Sequence, residues 1–260
     1  MQLDALLKSL QENSGNFFDR INVLYRTDGK KHKESYKHLK TEWKNVFFFE
    51  ENFFSPFRKI LLRRCLSKNY TYTCFLVDDN LLFRDISKEK ENILSSFTND
   101  VITFSLRLGL NCTYSHPADK HFRLKNFLVT EEGFLKWKWR EQDEGDFSYP
   151  LALDGHIFRT SQVLFIINST PFANPTSLEG LMQKFLDQIP DFMESFENSH
   201  LVGLPLNLTS KTAGNFFGKK YFYDIDELCK KYLAGERINI DNMDFSQING
   251  AHCELKLEFI

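Results

Sequence analysis

The sequence predicts an α/β fold, a doubly wound and mostly parallel mixed sheet flanked by helices, on three observations. Through the first 80 residues, segments of helical periodicity alternate with short runs of aromatic and β-branched residues, the pattern of repeated βαβ units. The run Thr73 to Val77 stops at Asp78-Asp79-Asn80, as strands do where their carboxyl ends open on a ligand crevice. The chain has 260 residues, 42% of them hydrophobic, with 27 Phe, which is enough for one large core.

Leu3, Leu6, Leu7 and Leu10 repeat at helical spacing, and Gly15 closes that segment. Ile21 to Tyr25 reads as a strand, Glu34 to Lys44 as a basic surface helix, and Val46 to Phe49 as a second, buried strand. After Pro56, Phe57 to Leu66 has a two-faced helical pattern and leads to the strand Tyr72 to Val77. Further on, Phe97 and Val101 to Leu108 are apolar, and Phe134 to Trp139 alternates apolar with cationic residues. That alternation marks an exposed or half-buried edge strand rather than a base-stacking surface, because Glu141, Asp143, Glu144 and Asp146 around it are acidic. Tyr149 to Arg159 precedes a helix over Gln162 to Ile167, and Asn174 to Ser177 introduces another over Leu178 to Leu186, with Ser177 as its N-cap and Glu179 in its first turn. At the end of the chain Ala251 to Phe259 alternates, so His252, Glu254, Lys256 and Glu258 share one face of an expected terminal strand. Repeats and low-complexity tracts do not occur.

Charge and cysteine usage exclude several classes. Lys and Arg number 33 against 35 Asp and Glu, a formal charge of −2, so no global field recruits nucleic acid. Five scattered cysteines, none spaced as CxxC, argue against a disulfide framework and a zinc site. No apolar run approaches the ~18 residues of a membrane helix, and no secretory signal opens the chain, so a cytoplasmic location is the expectation and the four Asn-x-Thr/Ser matches read as chance.

Asp78 and Asp79 carry the chemistry. A strand of aromatic and β-branched residues is buried, which holds its last residues rigidly at the rim of the sheet. Two adjacent acids there suit a hard cation, Mn²⁺ or Mg²⁺, that fills its remaining positions with water and phosphate oxygens. Asp-Asp-Asn is also an ordinary turn sequence.

With these residues in place the chain resembles the nucleotide-sugar glycosyltransferases of the GT-A fold, family-2-like. The strand ending in Asp78-Asp79-Asn80 matches their Asp-x-Asp-like motif, with Asn80 where the strict pattern has its last acid. Gly155, Arg159 and Glu179 fall at the spacing of their glycine-containing strand and catalytic acid, although the expected acidic pair is Glu179-Gly180 here. The likeness runs from Leu3 to about Leu186. It implies a single domain over residues 1–260, with a nucleotide-binding half at 1–80 and an acceptor-binding half at 81–260. By the resemblance, Asp78, Asp79 and Asn80 hold the cofactor, His252 completes the metal shell, and Glu179 or Asp154 is the catalytic base. Gly155, His156, Arg159, Asn207 and Asn215 are the expected substrate contacts. The implied activity is metal-dependent transfer of a sugar from a nucleotide diphosphate donor to a glycan or lipid-linked acceptor in polysaccharide biosynthesis, with peripheral association at the inner face of the membrane. Alternatives are a non-catalytic glycan- or nucleotide-binding module and a sugar nucleotidyltransferase; the latter should show a glycine-rich phosphate loop, and none is present.

One departure stands out. The fold resembled places a strand and a base-gripping loop ahead of a helix like Gln2 to Leu7, and this sequence opens in that helix. Either the start is assigned too late, or another strand replaces that one, or normal donor binding is lost; removing a central strand would cost about 1 to 3 kcal/mol for each backbone group left unmet.

Overall fold

The structure, a computed structural model, describes residues 1–207 and 219–260. It is α/β, with a mixed six-stranded central sheet. Helix α1 (Gln2–Asn13) buries Leu6, Leu7 and Leu10 at the expected spacing, and Gly15 leaves it at φ +51°. Strand β1 (Asn22–Tyr25) and strand β2 (Phe47–Glu50) pair in parallel across helix α2 (Lys30–Glu42). β2 was expected to be buried; it is instead an outer edge, with Phe47 47% exposed beneath the Arg20 guanidinium. The pattern from Phe57 to Leu66 resolves into α3 (Phe57–Ile60) and a π-helical turn (Leu61–Cys65), then β3 (Tyr72–Phe75) and β4 (Asn80–Leu82).

Next come α4 (Lys90–Ser96), β5 (Val101–Ser105), a small hairpin of β6 (Tyr114–Ser115) and β7 (Lys120–His121), β8 (Phe127–Val129) and β9 (Leu135–Lys138). The remaining elements are β10 (His156–Arg159), α5 (Thr160–Asn168), α6 (Pro175–Met182), β11 (Phe192–Ser195), β12 (Leu201–Gly203) and α7 (Ile225–Leu233). The central sheet has the order β3-β10-β5-β11-β9-β8. β10 runs antiparallel to both neighbours, β11 parallel to β5, and the β8–β9 hairpin antiparallel beyond it. The expectation of a mostly parallel sheet is thus corrected: β5–β11 and β1–β2 are the parallel pairs among the described residues, because β8 to β10 return by hairpin and loop rather than through helices.

β9 is likewise not an edge. It pairs on both sides, and its Leu135 and Trp137 are buried, so the apolar half of the alternation enters the core. The edge is β8, with Leu128 and Val129 exposed. One core cluster joins Phe57, Leu61, Trp137, Phe158, Val163 and Met193 on the face covered by α5 and α6. A second joins Leu6, Leu10, Ile93, Phe104 and Ile157 on the face covered by α1 and α4. A third packs α7 against β4, β12 and the chain's last residues. Those last residues form no strand, only isolated bridges Gly203–His252 and Ile238–Phe259. Burial of Leu255 and Leu257 still follows the alternation. Among the described residues no helix is long and apolar enough to cross a membrane.

Candidate functional site

The chain leaves β3 through Leu76 and Val77 and turns back at Asn80. Asn80 N–H donates to Val77 O at 3.1 Å, and Val77 N–H donates to Asn80 Oδ1 at 3.0 Å. Asn80 is fully buried, so it closes the turn instead of meeting a cofactor, contrary to the expectation. Asp78 and Asp79 occupy the apex of that turn and face a cavity of about 1550 Å³, whose walls also include Asp154, Glu179, Asn207 and His252.

The two aspartates differ from ordinary surface acids. Burial, reinforced by the charges of Asp78 and Asp154, pushes the Asp79 carboxyl up to about 7, and its Oδ1 is buried without a hydrogen-bond partner. Asp78 is exposed on the cavity wall, and partial desolvation there still raises its carboxyl. Such a pair fits a cation that takes one or two carboxylates and completes its shell with phosphate oxygens and water. Among the described residues, no three His, Cys, Asp or Glu side chains converge into a metal-ligand set. His252, the expected third ligand, shares that wall and lies close enough to act on Asp79, but its Nε2 is engaged by Asp154 Oδ2 at 3.0 Å.

Behind the acids lies a buried charge network. Arg107 Nη1 is 3.0 Å from the same Asp154 oxygen, and its Nη2 is 3.6 Å from Asp146 Oδ1. Burial alone would raise Asp154, but the Arg107 charge and the His252 hydrogen bond outweigh it and hold the carboxyl well below the usual range. Burial opposes charge on His252, and the bond to Asp154 overcomes it, so its imidazole is raised above the ordinary histidine value. Gly155 follows at φ +68°, and a Cβ there would sit 2.6 Å from Leu201 Cδ2 and 3.3 Å from Arg107 Cβ. Its smallness serves packing over Arg107, not contact with a ligand.

Glu179 takes a position different from the expected one. The N-cap of α6 is Asn174, with Pro175 first and Ser177 third in a reciprocal pair with Asn174. Glu179 therefore falls in the second turn, away from the helix-terminal field. Its carboxylate accepts Tyr149 Oη–H at 3.1 Å and Leu153 N–H at 2.9 Å, which ties the loop before Asp154 to α6. Two further expectations, His156 and Arg159, are corrected. His156 is fully buried, off the cavity, with Nδ1 3.3 Å from Pro150 O, and burial lowers it to about 3. Arg159 lies at the far end of β10, opposite Tyr72, with its guanidinium on the carbonyls of Phe97, Thr98 and Val101. Asn207 Nδ2 donates to Gln2 Oε1 at 2.7 Å on the cavity wall, and Asn215 lies outside the described residues.

Sequence reasoning missed Arg107, Asp146 and an aromatic plate. Arg107 is the lone charge in the run Val101 to Leu110, and an isolated arginine in such a run is buried and paired. The plate is Tyr25 and Tyr36, stacked at 3.9 Å and 14° on the cavity wall. Burial and the nearby Asp78 charge raise the Tyr36 phenol. No protein-family model matches the chain, and no curated protein is significantly similar to it.

Proposed function

We propose that the chain is a metal-dependent glycosyltransferase that moves a sugar from a nucleotide diphosphate donor to a glycan or lipid-linked acceptor at the cytoplasmic face of a membrane. The observation that supports this most is the Asp78–Asp79 pair, set rigidly beyond β3 on the wall of a large cavity, with Asp79 Oδ1 buried and unpartnered. Asp78 and Asp79 would hold Mn²⁺ or Mg²⁺, which would offset charge building on the departing diphosphate. The Tyr25–Tyr36 plate, near Asp78, offers a stacking surface for the nucleobase. Glu179 is the base in this reading: it takes the acceptor hydroxyl proton as that oxygen bonds to the anomeric carbon and the bond to phosphate breaks. Asp154, locked between Arg107 and His252, positions the acceptor hydroxyl. A thermal-shift panel of nucleoside diphosphates and their sugar conjugates, with and without Mn²⁺, tests the assignment. One nucleotide should raise the melting temperature only with metal, and Asp78→Asn/Asp79→Asn should abolish the rise; no metal-dependent shift with any nucleotide refutes it.

A non-catalytic nucleotide- or glycan-binding module is the second reading, and one observation favours it. Both Glu179 oxygens are already engaged by Tyr149 and Leu153. Nucleotide binding without donor turnover would select it.

A further inference from the structure

Beyond β2 a tight turn carries two adjacent phenylalanines out of the protein. Phe53 is 93% and Phe54 82% exposed, more than any other large apolar residue among the described residues. Their rings meet edge to face at 5.4 Å. Asn52 closes the turn: its backbone pairs in both directions with Ser55 at 3.1 Å, and its Oδ1 accepts Phe54 and Ser55 N–H at 3.0 Å. Lys59 Nζ donates to Phe54 O at 3.1 Å. Behind the turn, buried Phe57 packs against Phe172 and anchors its base. The tip is thus held outward on a rigid turn whose polar groups bond within the protein, the condition for backbone to enter an apolar medium.

That turn stands in the basic part of the chain. Residues 20–68 hold 13 Lys and Arg against 5 Asp and Glu, whereas the remaining residues hold 20 against 30. A segment of charge +8 is therefore carried by a remainder of charge −10, an asymmetry that points to an anionic surface as partner. Lys59, Arg63 and Arg64 are exposed along α3 and the π-turn. Arg20 joins them, because its Nε donates to Asn22 Oδ1 at 2.8 Å while Asn22 Nδ2 donates to Cys65 O at 3.0 Å. None of these four cations is ion-paired among the described residues. The acids just before the turn are already engaged: Glu50 accepts Thr27 Oγ1–H, and Glu51 accepts Phe57 N–H. Surfaces that bind single-stranded nucleic acid are grooves that track the strand, and a projecting two-ring tip is the opposite shape.

We propose that the Phe53–Phe54 turn is a membrane foot: both rings enter the boundary between headgroups and acyl chains of an anionic bilayer, while Arg20, Lys59, Arg63 and Arg64 lie on its phosphates. Either contribution alone gives weak, reversible binding, and the apolar anchor with a basic patch gives a stable one. The inference deepens, and rests on, the membrane location in the function proposed above. Vesicle binding needs no metal or nucleotide, so the foot and the transferase reading can fail separately.

Co-flotation of the full chain with vesicles of phosphatidylcholine, with and without phosphatidylglycerol, tests it. The chain should float with the mixed vesicles and not with phosphatidylcholine alone. Phe53→Ser/Phe54→Ser should lower affinity for the mixed vesicles by about tenfold or more, with an unchanged melting temperature because both rings are exposed. Arg63→Gln/Arg64→Gln should lower it by about fivefold or more. Three results overturn the proposal: no flotation with the mixed vesicles, unchanged affinity in either variant, or equal flotation with phosphatidylcholine alone. Two others overturn it by giving the tip to a different partner: a dimer in sedimentation that Phe53→Ser/Phe54→Ser dissociates, or binding of single-stranded DNA that the same variant abolishes.

Discussion

Arg107 balances charge from inside the protein, facing Asp154 and Asp146 with its own side chain only 4% exposed. Arg107→Met leaves both acids dehydrated and uncompensated, which should lower stability by about 3 to 5 kcal/mol in urea unfolding. Asp79 behaves in the opposite sense. Its folded carboxyl sits near 7 against an ordinary 3.8, so the fold binds the extra proton. Its contribution is complete below the unfolded value and is lost as pH rises through about 7. Melting temperature should therefore fall from about pH 5 to about pH 8, and Asp79→Asn should flatten part of that slope. Glu194, also pushed to about 7 by burial, accounts for a further part that Glu194→Gln removes. Added Mn²⁺, if it binds the ionised pair, should recover the loss in the parent and not in Asp79→Asn. The strand-terminal acids were legible because an apolar run ending in two carboxylates is a local pattern. His252 and Arg107 were not, since their meeting at Asp154 joins three segments that no spacing rule connects.

Elements were read best where burial follows a local period. α1, β1, α2, β3 and α5 lie within a few residues of their expected positions, and β9 was found but placed wrongly. Its apolar residues matched the strand period, yet its neighbours β8 and β11 are chosen by tertiary pairing. α6 was displaced for a smaller reason: Asn174 and Ser177 both cap helices, and Pro175 at the first position favours Asn174. Asn174→Ala should cost about 1 kcal/mol, measured by thermal or urea unfolding. Glu179→Gln separates the two roles of that side chain. An amide oxygen still accepts from Leu153 N–H, so stability should change by less than about 1 kcal/mol. Turnover should drop by about 10²-fold or more if Glu179 moves the acceptor proton; full turnover would leave it a loop anchor.

At the scale of the whole molecule, β1–β2 and the six-stranded sheet share no ladder among the described residues. The β1–α2–β2 unit is held to the remainder by side chains and by helices, with no strand hydrogen bonds crossing to β3 among the described residues. Glu42 fastens it at the far side: its Oε2 accepts Tyr232 Oη–H at 2.9 Å, and its Oε1 lies 2.6 Å from Arg237 Nη2. It shares that duty with Trp43, whose Nε1–H donates to Asp4 Oδ1 at 2.9 Å, and with His32, 3.7 Å from Asp226 Oδ1. Local openings follow the weakest boundary, so this flap should swing free before the central sheet melts. Trypsin should then cut first after the exposed Arg26, and Glu42→Ala should speed that cleavage severalfold while leaving the overall melting transition nearly in place. The nick would come from a hinge that the fold itself supplies.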